Sequence, residues 1–388
     1  MNIILFDDKE YFHRLKPITY TRPVAQIRVG IKTIYEKWVP HAHTLSYLTQ
    51  DYLSKKYPSN YAHENVYVNG SILPDTDFVA SLLTLKPNYA LAKNGHLLAY
   101  KSASKLTLQE LWGLQISPIT YTDKYTAIQN LCDIFVNNGT QLRADFEHIR
   151  KGRKTQIIED QFTKAYHLEN IFIEEGVKLR NVLLNAENGP IYIGKNADIQ
   201  EGAIIRGAFA ICEGGVINMG AKIRGDVTIG PYCKAGGEIS NSIMIGYSNK
   251  AHDGFLGNSV IGEWCNIGAD TNTSNLKNNY SDIKLWNYIS NKYETTERMF
   301  CGLFMGDHTK CGINTMFNSG TTVGVSCNIF GGGFADKYLP NFSWGGMNEG
   351  TKYEFDKAVD AIKRTMKRRE MTLTDIDLNI LSHLQTYI

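Results

Sequence analysis

Isoleucine recurs at every sixth position in the middle of the chain. Seven residues share this spacing: Ile193, Ile199, Ile205, Ile211, Ile217, Ile223 and Ile229. Four places after each comes a residue that is mostly small or apolar: Ala197, Ala203, Phe209, Gly215, Ala221, Val227 and Cys233. A helix repeats apolar positions every three or four residues and a strand every two, so this period indicates short strands joined by turns. The pattern predicts a parallel β-helix of hexapeptide type, whose isoleucines stack into one core.

The same period returns later in the chain, after irregular interruptions. It reappears at Ile261 and Ile267 and then in a weaker series: Leu303, Thr309, Thr315, Thr321 and Cys327. The positions four places further on in that series are Asp307, Ile313, Ser319 and Val325. The interruptions run from 249 to 257 and from 270 to 298. Long irregular insertions in a regular coil are usually functional loops, so we expect the chemistry there.

The segment before the repeat has a different pattern. In residues 1–160 the apolar runs predict a mixed α/β domain. We expect strands at 1–6 and 66–68, and helices at 107–115 and 125–135.

The segment after the repeat predicts helices. Phe355, Val359, Ile362 and Met366 follow helical spacing, and the basic run beside them, from 363 to 369, is interpreted as a solvated helix face. A capping box at 372–375 predicts a last helix that runs to 384. The domains predicted are therefore 1–160, 161–346 and 347–388.

Composition narrows the class of protein. The 388 residues are 43% hydrophobic, and 41 Lys+Arg against 39 Asp+Glu leave a net charge of +2. A globular protein fits this balance, and a nucleic-acid partner does not. Seven scattered cysteines without a C-x-x-C pair suggest neither a disulfide framework nor a zinc knuckle. The short apolar start and the lack of any run of 18 apolar residues argue against a signal peptide and a membrane span, so we expect a cytoplasmic location.

Two neighbouring segments carry a family resemblance. The stretches 249–258, NKAHDGFLGN, and 261–271, IGEWCNIGADT, resemble the acetyltransferase half of the bifunctional N-acetylglucosamine-1-phosphate uridyltransferase / glucosamine-1-phosphate acetyltransferase family. The resemblance covers roughly residues 190 to 330. It implies a left-handed β-helix, acetyl-CoA as cofactor, a homotrimer and a role in cell envelope biosynthesis.

The resemblance also implies catalytic roles. His252 stands at the position of the family's general base, which takes a proton from the substrate amine before that amine attacks the thioester. Imidazole suits this step because its unperturbed pKa is about 6.5. Asn266 is the candidate for stabilising the oxyanion and Asp253 for orienting the imidazole. His308 is the alternative base.

Further residues correspond to binding positions of the family. Acetyl-CoA would contact Ala269, Gly302 and Ser319, and the acceptor would contact Asn275, Lys277 and Lys284. The chain departs from the family in two places. It has Phe255 where a tyrosine is usual, and it lacks the pair of lysines that holds a sugar phosphate. The acceptor predicted is therefore either an amino sugar phosphate or a nucleotide-linked sugar.

The segment from Arg14 to Ala25 resembles the start of sugar-1-phosphate nucleotidyltransferases. Arg14 would replace the family's loop arginine and Arg22 its lysine, since both cations can neutralise phosphate. Asn69 and Gly70 lie in the segment that resembles the family's Gly-Asp motif, whose aspartate holds Mg²⁺.

This resemblance too is incomplete. Ser71 stands where that aspartate belongs, so the metal ligands remain unknown, with Asp75 or Asp77 as substitutes. The glycine-rich loop is replaced by the acidic stretch 7–13. The N-terminal domain predicted is therefore a truncated, Rossmann-like α/β domain of nucleotidyltransferase type.

Three functions follow from these patterns. The first is an acetyltransferase that acts on a sugar phosphate or nucleotide sugar, with His252 as base. The second is a sugar-1-phosphate nucleotidyltransferase that uses Arg14 and Arg22, with the β-helix as an oligomerisation scaffold. The third is a sugar-nucleotide-binding protein without turnover.

Overall fold

The computed structural model describes residues 1–346 and 350–387, which form two compact units. The first unit contains Met1–Ile27, Lys32–Asp133 and Thr374–His383, and the second contains Arg28–Ile31, Ile134–Leu373 and Leu384–Ile388. The predicted boundary at 346/347 adjoins residues 347–349, which lie outside the described residues.

A six-stranded mixed sheet organises the first unit. Its strands, in spatial order, are Thr44–Leu48, Asn2–Phe6, Asn65–Asn69, His96–Ser102, Ala90–Lys93 and Ile119–Thr120. The first three are mutually parallel, and Asn2–Phe6 lies between the other two. Its residues Ile3 to Phe6 are buried, because the strand is central in the sheet. The predicted strands at 1–6 and 66–68 are confirmed.

Short helices connect these strands. The α-helices are Lys9–Arg14, Ile34–Trp38, Asp51–Ser54, Thr76–Thr84 and Leu108–Trp112, with 3₁₀ turns at Ile18–Tyr20, Val24–Gln26 and Val39–His41. The helix expected at 107–115 is confirmed in a shorter form, started by a capping box between Thr107 and Glu110. The helix expected at 125–135 is wrong. Thr126–Ala127 pairs with Ile72–Leu73 as a strand, and the helix Leu131–Arg150 begins later. It starts there because the Asp133 carboxylate accepts the free N–H groups of residues 129 and 130.

Three walls of parallel strands form the β-helix of the second unit. Wall A consists of Ile171–Ile173, Ile191–Ile193, Phe209–Ile211, Val227–Ile229, Ile243–Gly246, Val260–Glu263, Leu303–Met305, Thr321–Val323 and Tyr338–Leu339. Wall B consists of Lys178–Leu179, Asp198–Ile199, Val216–Ile217, Lys234–Ala235, Asn249–Lys250, Asn266–Ile267, Lys310–Cys311, Asn328–Ile329 and Ser343–Gly345, with Thr351–Lys352 antiparallel at its end. Wall C consists of Lys164–Tyr166, Leu183–Asn185, Ile204–Arg206, Lys222–Arg224, Glu238–Ser240 and Phe255–Gly257, and the pair Asn272–Thr273 and Met316–Phe317 follows it.

The isoleucine ladder is the core of these coils. Each of the seven predicted isoleucines is at most 2% exposed, and successive ones lie on successive walls. After the insertion the five predicted positions, from Leu303 to Cys327, are buried as expected, but they take the second inward place, so the predicted frame is wrong by two residues. Ile261 pairs with Met305 and Ile267 with Cys311, so the ladder continues there, and Ile313 is 73% exposed.

The remaining elements are a hairpin, 3₁₀ turns and two helices near the end of the chain. A hairpin of Lys284–Asn287 and Lys292–Thr295 lies in the insertion, and a 3₁₀ turn spans Leu168–Asn170. The predicted amphipathic helix is confirmed as Phe355–Lys367. The last helix, Asp375–Leu384, is capped by Thr374 rather than at the predicted position, because the Thr374 hydroxyl accepts the Asp377 N–H. A 3₁₀ turn, Gln385–Tyr387, follows. No helix within 1–346 and 350–387 is long and apolar enough to span a bilayer.

Candidate functional site

In the first unit, three parallel strands end at one edge of the sheet. Ligands of open α/β sheets bind beyond such carboxyl ends. Asp7, Thr49 and Asn69 stand there. The buried Asp7 carboxylate accepts hydrogen bonds from the Thr49 hydroxyl at 2.5 Å and from the Val24 N–H at 2.8 Å. Burial raises the pKa of Asp7 to about 7.

The predicted phosphate-binding arginines lie in the same unit. Arg14 is paired with Glu10 and donates to the Asn130 side chain at 3.3 Å. Arg22 is buried and donates to the Ile18 carbonyl at 3.3 Å. Sequence reasoning missed Lys16, whose buried ammonium lies 4.9 Å from the Tyr20 ring centre and whose pKa is lowered to about 8 by burial.

The turn after the third strand is held by its own side chains. Asn69 accepts hydrogen bonds from the Ser71 N–H at 3.1 Å and from its hydroxyl at 2.8 Å, and the Gly70 N–H bonds to the Phe6 carbonyl at 2.8 Å. Asp75 caps the helix Thr76–Thr84.

These residues do not fit Mg²⁺, which prefers carboxylate oxygens, because the turn itself presents only amide and hydroxyl groups. In the described part of the chain, no group of three or more His, Cys, Asp or Glu residues is arranged to hold a metal ion. In the acidic stretch at 7–13, the Asp8 carboxylate already accepts hydrogen bonds from the backbone, because it caps the helix Lys9–Arg14.

In the second unit, His252 lies where wall B turns into wall C. This turn, formed by residues 251–254 and 268–271 of successive coils, is called the histidine corner. His252 and Asp253 are exposed, and the Asp253 carbonyl accepts the Asp270 N–H at 3.1 Å. Among the described residues, no hydrogen bond joins the His252 ring to the Asp253 carboxylate.

A buried lysine supports this corner from inside. The ammonium of Lys250 donates to the His252 carbonyl at 2.7 Å and to the Gly236 carbonyl of the preceding coil at 3.0 Å. Burial lowers its pKa to about 8. Sequence reasoning missed Lys250, although its period-six place between Met244 and Leu256 is a signal for an inward position.

Asn266 and Ala269 lie one coil beyond His252. The Asn266 side chain is exposed on wall B, 3.5 Å from the Asn249 amide nitrogen. Ala269 lies at the histidine corner and accepts the Asn314 N–H at 2.8 Å through its carbonyl.

The other predicted contacts gather at a different turn, between wall C and wall A. This turn, residues 258–259, 300–302 and 318–320, is called the amide corner. Asn275 donates to the Asn258 side chain at 2.8 Å, and the Gly302 N–H bonds to the Asn258 carbonyl at 2.9 Å. A side chain at Gly302 would lie 2.0 Å from the Gly257 carbonyl oxygen, so only glycine fits. Ser319 is buried beside it.

The two predicted lysines belong to the insertion. Lys277 donates to the Ser281 hydroxyl at 3.2 Å and to the Asp282 carbonyl, and Lys284 is exposed at the start of the hairpin. The structure therefore places His252, Asp253 and Ala269 at one corner, and Asn275, Gly302 and Ser319 at another.

The third turn, between walls A and B, carries aromatic residues and is called the aromatic corner. It contains Tyr232, Tyr247, Trp264 and the half-buried His308. A cavity of about 360 Å³ lies beside it, and sequence reasoning missed it. Its lining is Lys234, Tyr247, Asn249, Trp264, Cys265, Asn266, Lys310, Thr365, Arg368 and Arg369. Part of the basic run predicted as a solvated helix face therefore lines a cavity.

Comparisons with known proteins match parts of this chain. Residues 3–154 match the family model described as sugar nucleotidyl transferase. The bifunctional protein GlmU of Methanocaldococcus jannaschii is 36% identical over 92 residues, which are 24% of this chain and 22% of that protein. A bifunctional sugar-1-phosphate nucleotidylyltransferase/acetyltransferase of Sulfurisphaera tokodaii is 27% identical over 180 residues, 46% of this chain and 42% of that protein.

These relatives are matched only in part. The chain spans less than half the length of either curated relative. Among solved structures, the polySia-specific acetyltransferase NeuO is 17% identical with a TM-score of 0.30, over 54% of this chain and 95% of that one. The chain thus combines a sugar nucleotidyltransferase domain with a parallel β-helix, and it is a distant homologue of GlmU-like bifunctional proteins.

Proposed function

We propose that the β-helix transfers an acetyl group from acetyl-CoA to the amino group of a sugar phosphate or nucleotide-linked sugar, with His252 as general base. The observation that carries the proposal is the exposed imidazole at the histidine corner, whose backbone is anchored by Lys250. The acetyltransferase activity named for the Sulfurisphaera tokodaii relative supports it.

The main group that this reaction needs from the protein is a general base held close to the acceptor amine. The coenzyme supplies an activated acetyl thioester. An ammonium group has no lone pair, so the acceptor nitrogen must lose a proton before it can attack the carbonyl carbon. The His252 imidazole takes that proton and passes it to solvent, and the free amine attacks the carbonyl carbon. As the C–N bond forms and the C–S bond breaks, the second proton of the nitrogen goes to the departing thiolate, so that the products are the amide and the thiol of CoA. The Lys250 hydrogen bond keeps the His252 backbone in one position during this step.

The proposal includes a homotrimer. The predicted contacts divide between the histidine corner and the amide corner, which are separate turns of the same coils. A second copy of the chain, packed beside the first, would bring the histidine corner of one copy to the amide corner of the other. Exposed apolar side chains near the turns, including Met219, Ile313 and Phe334, favour such packing.

Nucleotidyl transfer in the first unit is the second candidate. The match of residues 3–154 to the sugar nucleotidyl transferase model favours it, as does the placement of Asp7 and Asn69 at the carboxyl edge of the sheet. Arg22 would then neutralise phosphate. The turn after the third strand does not fit Mg²⁺, so the candidate rests on Arg22 and on the residues of the sheet edge.

Two substitutions separate the candidates. His252→Ala is expected to abolish acetyl transfer and to preserve binding of UTP, measured by calorimetry on the full chain. Arg22→Ala is expected to weaken binding of UTP and to preserve acetyl transfer. If the purified chain binds UTP but neither binds nor consumes acetyl-CoA, the acetyl-transfer proposal fails and the second candidate takes its place.

A further inference from the structure

The cavity at the aromatic corner is built from four converging cations. Wall B presents Lys234 and Lys310 in one column, with Asn249 and Asn266 in register on the two coils between them. The end of the helix Phe355–Lys367 adds Arg368 and Arg369. Four positive charges thus line about 360 Å³, a volume within the range of roughly 300 to 1,000 Å³ typical of small-molecule sites.

These cations are not neutralised by the protein. No residue of the described chain forms an ion pair with Lys234, Lys310, Arg368 or Arg369, and the lining contains no carboxylate. The hydrogen-bond acceptors of two of them are neutral. Arg369 donates to the Asn249 side chain at 3.2 Å, and Lys310 donates to the His308 carbonyl at 3.1 Å. Cations that converge on a cavity without a counter-charge favour an anionic ligand with several charges, such as phosphates.

The aromatic residues add a second, independent feature. Tyr232, Tyr247 and Trp264 stack along three coils, with ring centres 5.2 Å and 4.5 Å apart. All three have positive φ angles, of 55°, 53° and 61°. Bulky residues avoid this backbone conformation, and earlier coils place Asn196 and Gly214 there. Strain of this kind concentrates at functional sites.

The combination defines the ligand class. The rings of Tyr247 and Trp264 and the four cations line the same cavity. Aromatic rings recognise planar bases, and guanidinium and ammonium groups recognise phosphates. We propose that this cavity is a nucleotide-binding site, in which Arg368, Arg369 and Lys310 hold the phosphates and Trp264 contacts the base. A free nucleoside diphosphate and the nucleotide end of coenzyme A both offer this chemistry.

The cavity does not include the proposed catalytic base. The cavity lies at the aromatic corner, and His252 is not part of its lining. His252→Ala is therefore expected to leave nucleotide binding unchanged even where acetyl transfer is lost, so the two proposals can fail independently.

Calorimetric titration of the full chain with ADP, with coenzyme A and with inorganic phosphate tests the site. Arg368→Ala and Arg369→Ala are each expected to weaken ADP binding about tenfold. The matched control is Arg364→Ala on the same helix, because Arg364 is exposed and paired with Asp360 at 2.7 Å. It is expected to change the affinity less than twofold.

The same titrations test the role of the Trp264 ring. Trp264→Leu is expected to weaken ADP binding about tenfold and to leave phosphate binding unchanged, whereas Trp264→Phe keeps a ring and most of the affinity. Thermal unfolding of each variant verifies that the coil is intact.

The outcomes divide clearly. Binding of ADP or coenzyme A that depends on Arg368 and Arg369 supports the site. Tighter binding of coenzyme A then identifies the coenzyme as the source, and equal or tighter binding of ADP identifies a free nucleotide. The proposal is overturned by any of three results: neither ligand binds, the arginine variants match Arg364→Ala, or phosphate binds as tightly as ADP.

Discussion

Lys250 occupies a place at which its neighbours along the coil axis are apolar or small. The inward column of wall B reads Leu179, Ile199, Ile217, Ala235, Lys250, Ile267, Cys311 and Ile329. Taking an ammonium group out of water costs free energy unless it is hydrogen-bonded, and here two carbonyl oxygens satisfy it. One of them belongs to His252, which links this core residue to the proposed chemistry.

Lys250→Met tests that link. Methionine keeps the length of the side chain and removes its donors, so the His252 backbone loses its anchor. We expect turnover of acetyl-CoA to fall about ten- to hundredfold, because small misplacements of a catalytic group are costly. The matched control is Lys222→Met, an exposed lysine on wall C, which is expected to be neutral.

The stability of the same variant should depend on pH in one direction. The pKa of Lys250 is lowered from 10.5 to about 8 in the folded chain, so its folded form favours the neutral amine. Relative to Lys250→Met, the wild type should lose stability as the pH falls from about 10 to about 8 and remain level below that. A difference independent of pH would mean that the lysine is not buried.

The elements of the β-helix are too short to be stable alone, and their stacking is what holds them. Strands of two to four residues gain their stability from the coils above and below. Shortening a buried isoleucine on any wall should therefore lower the stability of the β-helix. Shortening a side chain that points outward should not.

Ile217→Ala and Ile313→Ala compare the two situations. Ile217 is fully buried and Ile313 is 73% exposed. We expect Ile217→Ala to reduce the free energy of unfolding by about 2 to 5 kcal/mol and Ile313→Ala by less than about 0.5 kcal/mol. Denaturant unfolding followed by circular dichroism measures both. Equal losses would contradict the corrected frame.

An element can be predicted from the sequence when the pattern that specifies it lies within a short segment of the chain. The ladder from Ile193 to Ile229 could be predicted because every coil repeats the same spacing. The frame after the insertion could not, since threonine and cysteine at positions such as Thr309 and Cys311 carry no clear period. The cavity at the aromatic corner could not be predicted from the sequence either. Trp264 and Arg369 are 105 positions apart in the sequence, and only the folded chain brings both of them to the same cavity.

For the whole molecule, the proposed acetyl transfer implies active sites that need two copies of the chain. The first unit could be recognised from the segment around Arg22, but its edge geometry could not, because Asp7 and Thr49 meet only through strand pairing. The second unit holds its predicted contacts at two corners, and neither corner alone supplies both a base and the acceptor contacts.

Mixed oligomers test this sharing. His252→Ala and Asn275→Ala are each expected to be inactive when expressed alone. Co-expressed, the two variants should regain part of the wild-type turnover, because some interfaces pair an intact histidine corner with an intact amide corner. Light scattering should report a trimer in both cases. A monomeric chain, or mixtures without any activity, would contradict shared sites.

The most direct test of acetyl transfer is the release of free CoA thiol from acetyl-CoA in the presence of amino sugar phosphates. The seven cysteines are all buried, so a thiol reagent should report mainly the released coenzyme. We expect turnover by the wild type and by His308→Ala, and none by His252→Ala, which should still bind acetyl-CoA. Equal turnover by the wild type and His252→Ala would contradict the assignment of His252 as the base.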